Sequence, residues 1–229
     1  MKNILMAVLL IFSIAAVEAN ATPSTQIWNP STDIQAKGAW HLGIDNYFTK
    51  EGPNPVEGGY AYPTDTGLTY GLLPGLEIGV DAFLPQTSPF TFNIKYGIAE
   101  SESIPAFAVG GFNFGTQANA TDQNVLYGVI SKTFPLIGRL TGGYFSGNEK
   151  LLLDPGGNKD NAGVILTWDK SLTDKVWASV DYAGTKSVLG ALFYGFSYAF
   201  SSNTSVIFAY GTYNNAAKPT FTTQLDINL

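Results

Sequence analysis

The chain has 229 residues, 45% of them hydrophobic and only 13% charged, whereas globular proteins carry roughly 25% charged residues. It has no Cys, a single His and a net charge of -6. This excludes a disulfide framework, a thiolate metal site, a Cys nucleophile and a lipid-modified Cys anchor, and it argues against nucleic acid as a partner.

Mean hydropathy is +0.08, far from that of a helical membrane protein. Low charge, 14% aromatics and 25 Gly instead suit a wall with one apolar and one polar face.

The N-terminus has the form of an export signal. Lys2 is followed by an apolar run from Ile4 to Val17, too short to span a bilayer comfortably. Ala19-Asn20-Ala21 then supplies the small-residue pattern read by signal peptidase. Residues 1–21 are expected to be the signal peptide, with cleavage after Ala19 as second choice. Residues 22–37, rich in Thr, Ser, Asn and Pro, read as a periplasmic tail or as a plug entering a lumen. Residues 38–229 carry period-two alternation and form the expected barrel.

In the first strand Trp40, Leu42, Ile44 and Phe48 share one face, with His41, Gly43, Asp45 and Tyr47 on the other. The second carries Tyr60, Tyr62, Leu68, Tyr70 and Leu72 against Ala61, Pro63, Asp65, Gly67, Thr69 and Gly71, and ends at Pro74-Gly75. The third sets Leu76, Ile78, Val80, Ala82 and Leu84 against Glu77, Gly79, Asp81 and Phe83. The fourth sets Phe90, Phe92, Ile94, Tyr96 and Ile98 against Thr91, Asn93, Lys95 and Gly97.

The fifth strand, near 106–114, and the sixth, near 125–134, have apolar residues in both phases, which leaves their facing open. A seventh lies near 139–145. The eighth shows Val164, Leu166 and Trp168, and the ninth Val176, Ala178, Val180 and Tyr182 against Trp177, Ser179 and Asp181. In the tenth, Leu192, Tyr194, Phe196, Tyr198 and Phe200 alternate with Phe193, Gly195, Ser197 and Ala199. Val206, Phe208 and Tyr210 mark the eleventh, and Phe221, Thr223, Leu225, Ile227 and Leu229 the twelfth.

A soluble sandwich alternates too. Here, however, the apolar face of each regular strand is nearly free of charge. Aromatics such as Tyr60, Tyr62, Tyr96, Trp168, Tyr182, Tyr198 and Phe200 gather toward strand ends, as at membrane interfaces. Connections after even-numbered strands are mostly short, whereas the alternate set includes the long segments 50–58, 116–124 and 147–161. Short periplasmic turns and longer outward loops are the outer-membrane pattern, and this phase puts both termini in the periplasm. The fold class is therefore all-β: a closed antiparallel up-and-down transmembrane β-barrel of about twelve strands.

On these strands and loops the chain resembles the small porin-like barrels of Gram-negative outer membranes. The resemblance is architectural and covers roughly the whole of 22–229. It implies location in the outer membrane, contact with its lipid, and passage of small solutes without a cofactor. Such proteins often end their last strand in Phe or Trp; this one ends in Leu229.

The expected pore-lining set is His41, Asp45, Asp65, Glu77, Asp81, Lys95 and Asp181, acidic on balance and so favouring cations. The same groups could instead be hydrogen-bonded plugs filling a narrow interior. A metal site from Asp45, Glu77 and Asp81 lacks any calcium-loop spacing. A lipid-active enzyme would need His41 paired with a Ser such as Ser187 or Ser205, expected only at distant wrap-around, and no G-x-S-x-G elbow exists. No catalytic activity is expected. Leu151-Leu152-Leu153 in the 147–161 loop either folds inward as a constriction or touches a partner. The simpler expectation is an extension of the flanking strands around Pro155-Gly156-Gly157.

Overall fold

The computed structural model describes residues 24–49 and 62–229. The expected signal peptide, the 50–58 loop and Tyr60 lie outside them. Among the described residues twelve strands form one closed sheet: β1 (Trp40–Phe48), β2 (Thr64–Leu73), β3 (Leu76–Leu84), β4 (Phe90–Ile98), β5 (Ala106–Gly115), β6 (Val125–Phe134), β7 (Gly138–Ser146), β8 (Ala162–Ser171), β9 (Val176–Gly184), β10 (Ala191–Ala199), β11 (Thr204–Tyr213) and β12 (Thr220–Asn228). Each pairs antiparallel with its neighbours in sequence, and β1 closes on β12 from His41↔Asn228 to Phe48↔Phe221. Closure pairs the backbone groups that an open edge would leave bare in hydrocarbon.

The outward faces carry the apolar sets read from the sequence. Phe90, Phe92, Ile94, Tyr96 and Ile98 on β4 stay about half exposed, as do Leu166 on β8 and Tyr194 and Phe196 on β10. In water this belt would far exceed the apolar patches that soluble monomers tolerate. It is the surface of a barrel solvated by lipid.

The facing of β5 and β6 is settled by register. Tyr96↔Val109 and Ile98↔Phe107 put Val109 and Phe107 outward. Ala108↔Val129 and Gly110↔Tyr127 then turn Val129 and Tyr127 inward, leaving Leu126 and Ile130 on the lipid side. A bulge at Phe112 and Asn113 breaks the period within β5, with Asn113 in the left-handed region at φ 54°. Both phases are apolar because the inner one packs against an occupied lumen. Ala108, Val125 and Val129 join Phe145, Leu152, Ile165 and Ala183 in a buried cluster.

Two expectations are corrected. Tyr62 precedes β2 and points not to lipid but into an aromatic group with Trp28, Tyr47 and Tyr213. The 147–161 loop is more than a strand extension. Leu153 and Lys159 do form a short antiparallel bridge, turned by Gly157 at φ +79°, but Leu152 folds into the barrel and is fully buried.

Candidate functional site in the lumen

Residues 24–37 lie inside the barrel as a re-entrant hairpin. An antiparallel bridge joins Thr25 and Pro30, and the Gln26 amide donates to the Asn29 carbonyl at 2.8 Å, so the tip is residues 27–29. The returning limb runs along β2: Lys37 bridges Gly71, and a side chain at Gly71 would collide with the Ala36 carbonyl.

Inward side chains of the wall hold this hairpin. Asp181 accepts the backbone N–H groups of Ile27, Trp28 and Asn29 at 3.0, 2.7 and 3.0 Å, and the Asn29 side-chain amide as well. Successive amides around one carboxylate make an anion nest, with the anion supplied by the wall. Gln224 donates to the Ile27 carbonyl at 2.8 Å. Trp28 stacks on Phe193 at 5.1 Å, meets Tyr47 and Tyr213 edge-on, and donates its indole N–H to the Leu189 carbonyl.

Nearer the short-turn end, Glu77 accepts Ser24 Oγ at 2.7 Å and the Gln35 amide at 2.6 Å, and pairs with Lys95 at 3.2 Å. Lys95 also donates to the Ser24 carbonyl. Arg139 bridges Asp33 of the hairpin, at 2.6 Å, and Asp169 of β8, at 2.9 Å. Asp169 further accepts Gln26 Nε2 and Trp177 Nε1.

A cavity of about 230 Å³ remains beside the hairpin, and six of the seven expected pore-lining residues border it: His41, Asp45, Asp65, Glu77, Asp81 and Lys95. Asp181 does not, because the hairpin tip covers it. Asp45 and Asp65 oppose each other across β1 and β2, and Asp81 lies one strand further, opposite Gly67, accepting Asn93 Nδ2 at 2.7 Å. Among the described residues no group of three or more carboxylate or imidazole side chains could hold a metal ion.

Several residues of the site were not singled out from the sequence: Asp226, Gln224, Asp169, Arg139 and Asp33. The alternation that turns Leu225, Ile227 and Trp168 outward also turns Asp226, Gln224 and Asp169 inward. Barrel closure brings Ser205 closer to His41 than expected, with Ser205 opposite Asp226 on β12. His41 Nδ1 engages Asn228 Oδ1 at 3.0 Å, and its Nε2 faces Asp226 at 3.4 Å. An aspartate thus stands between the serine and the imidazole, which is not a nucleophile–base pair.

Outside the wall, the turn after β4 is fastened to β6. Burial raises the Glu100 carboxyl, but hydrogen bonds from Lys132 and Thr133 outweigh this and hold it down at about 2. Glu149, in the 147–161 loop, is held below the usual carboxylate range by Lys159 at 2.6 Å.

No protein-family model matches the sequence, and no curated protein does. Solved structures do. The KdgM porin superposes with a TM-score of 0.54 at 9% identity, over 83% of this chain and 97% of the porin. An outer membrane channel from Pseudomonas putida F1 gives 0.48 at 10% identity, over 85% and 96%. The NanC porin gives 0.47 at 10%, over 82% and 98%. At such identities the likeness, carried by the first of these, is one of fold. The chain has the porin-like fold, and its even-stranded antiparallel barrel with an apolar outer belt is outer-membrane architecture.

Proposed function

We propose that the chain is a narrow passive channel for small solutes with a weak preference for cations. The reading is supported by the charge around the lumenal cavity. Asp45, Asp65, Asp81 and Asp226 border it, while its lysine, Lys95, is paired with Glu77. Carboxylates lining a confined path favour cations and disfavour anions. Twelve strands fall between barrels filled by their own side chains and those leaving a wide aqueous channel, and the hairpin narrows this one further.

Planar-bilayer recording across a KCl gradient tests the proposal. The full chain should give small conductances with a cation-selective reversal potential. Deleting residues 24–37 should raise the conductance several-fold. Anion selectivity, or silence from both proteins, would overturn it.

A second reading is a filled barrel acting through its outward loops, favoured by the wall contacts of the hairpin and the burial of Leu152. On that reading the hairpin deletion stays silent, and removing residues 148–160 abolishes binding to a cell-surface partner while heat-modifiable folding persists.

A further inference from the structure

We infer that the lumenal cavity is a binding site for small organic ammonium ions with an apolar or aromatic body. The inference rests on the channel reading, of which it names the substrate class.

The acidic side is broad. Asp45, Asp65 and Asp81 are adjacent across three strands, yet no group of three such side chains among the described residues converges tightly enough for a metal ion. A spread of carboxylates suits a cation larger than a bare metal.

The site also holds carboxylates short of donors. Asp226 is 3% exposed and borders the cavity, where its carboxylate meets His41 Nε2 at 3.4 Å and lies opposite Ser205, and among the described residues Asp65 Oδ1 accepts no hydrogen bond. Buried acceptors left unsatisfied are costly. A primary ammonium brings three donors and the opposite charge.

The rest of the wall explains why the ligand should carry an apolar body. Trp28, Tyr47, Phe83 and Phe112 border the same cavity. Aromatic faces attract ammonium groups and bury the hydrocarbon attached to them. A hydrated potassium ion would use only the carboxylates, and an organic acid would be repelled by them. The volume, about 230 Å³, is below the ~300 Å³ at which drug-sized pockets begin, so a single-ring amine is the right scale.

Trp28 reports on binding through its fluorescence. The full-length protein in detergent is titrated with phenethylamine, cationic at neutral pH, then with 2-phenylethanol, 3-phenylpropionate and KCl. Phenethylamine should give a saturable change, the alcohol should bind at least about tenfold more weakly for want of the charge-assisted hydrogen bonds, and the carboxylate should not bind. Asp65→Asn and Asp81→Asn should each weaken the amine about tenfold, by loss of one charged acceptor. The comparison among probes on the unmodified protein stands even if a variant fails to fold.

Equal binding of the alcohol, or competition by KCl at equal concentration, would overturn the inference. Cation-selective conductance without amine binding removes the inference and leaves the channel. Amine binding without conductance, with or without the hairpin, leaves a binding site and removes the channel.

Discussion

The Asp181 carboxylate accepts the Trp28 backbone amide at 2.7 Å, joining the wall of β9 to the tip of the lumenal hairpin across 153 positions of sequence. Two further amides and the Asn29 side chain converge on the same carboxylate. Hydrogen bonds to a charged group each contribute about 1.5–3 kcal/mol. Asp181→Ala should therefore destabilise the docked tip by at least about 2 kcal/mol, some thirtyfold in the displaced population. The chain has no Cys, so Ser31→Cys makes a clean reporter: Ser31 is buried, and its labelling by a water-soluble maleimide should accelerate about as much. Equal labelling rates with Asp181 present or absent would mean that the nest does not hold the hairpin.

Leu152 carries the second prediction. It is fully buried against a cluster containing Val125, Phe145 and Ile165. Truncating a buried Leu costs about 2–5 kcal/mol, since the cavity left behind collapses only in part. Leu152→Ala should lower the thermal unfolding midpoint in detergent, followed by circular dichroism, whereas Leu151→Ala, on a partly buried neighbour, should lower it less. Equal effects would show that the loop does not anchor through Leu152.

These two sites mark what local pattern could and could not disclose. In β3, β4 and β10 one face meets lipid and the other the lumen, so a period of two records both environments. In β5 and β6 the inner face meets Leu152 and the hairpin, both apolar there, and the contrast vanishes. The bulge at Phe112 and Asn113 also shifts the phase midway. Asp226 was readable from its place between Leu225 and Ile227, and its neighbour across the seam followed only from closure. The hairpin was least legible. Its polar residues read as a solvated tail, because the groups satisfying them sit at remote positions: Gln224 for Ile27, and Asp181 for Asn29. The gathering of aromatics at strand ends points Tyr62 to lipid, but the lumen holds an aromatic group of its own.

The membrane itself can be tested at Ile130, which lies midway along β6, faces outward and is 50% exposed. An Arg on the lipid face near the bilayer midplane costs about 2–4 kcal/mol. Ile130→Arg should destabilise the barrel in lipid vesicles by that amount, measured by urea unfolding. The inward neighbour Val129 is fully enclosed, so Ile130→Arg and Val129→Ala should respond differently to bilayer thickness: only the first should vary with it. No dependence of Ile130→Arg on the lipid would sink the assignment of that face.

Acid should loosen the short-turn end in a defined window. Lys132 and Thr133 hold the Glu100 carboxyl at about 2, below its ordinary 4.5. A carboxyl depressed in the folded state adds stability that is fully present above its unfolded pKa. That stability falls away as pH drops through the folded one, below which both states are protonated. The difference in unfolding midpoint between the natural chain and Glu100→Gln should be constant above 4.5 and shrink progressively toward 2. Glu100 accepts both the Thr133 amide and its hydroxyl, so amide exchange at Thr133 should rise over the same window in the natural chain. In the Gln variant, which has no carboxyl to titrate, it should be fast throughout once intrinsic pH effects are removed. A difference that persisted at pH 2 would show that packing, not charge, fastens this turn.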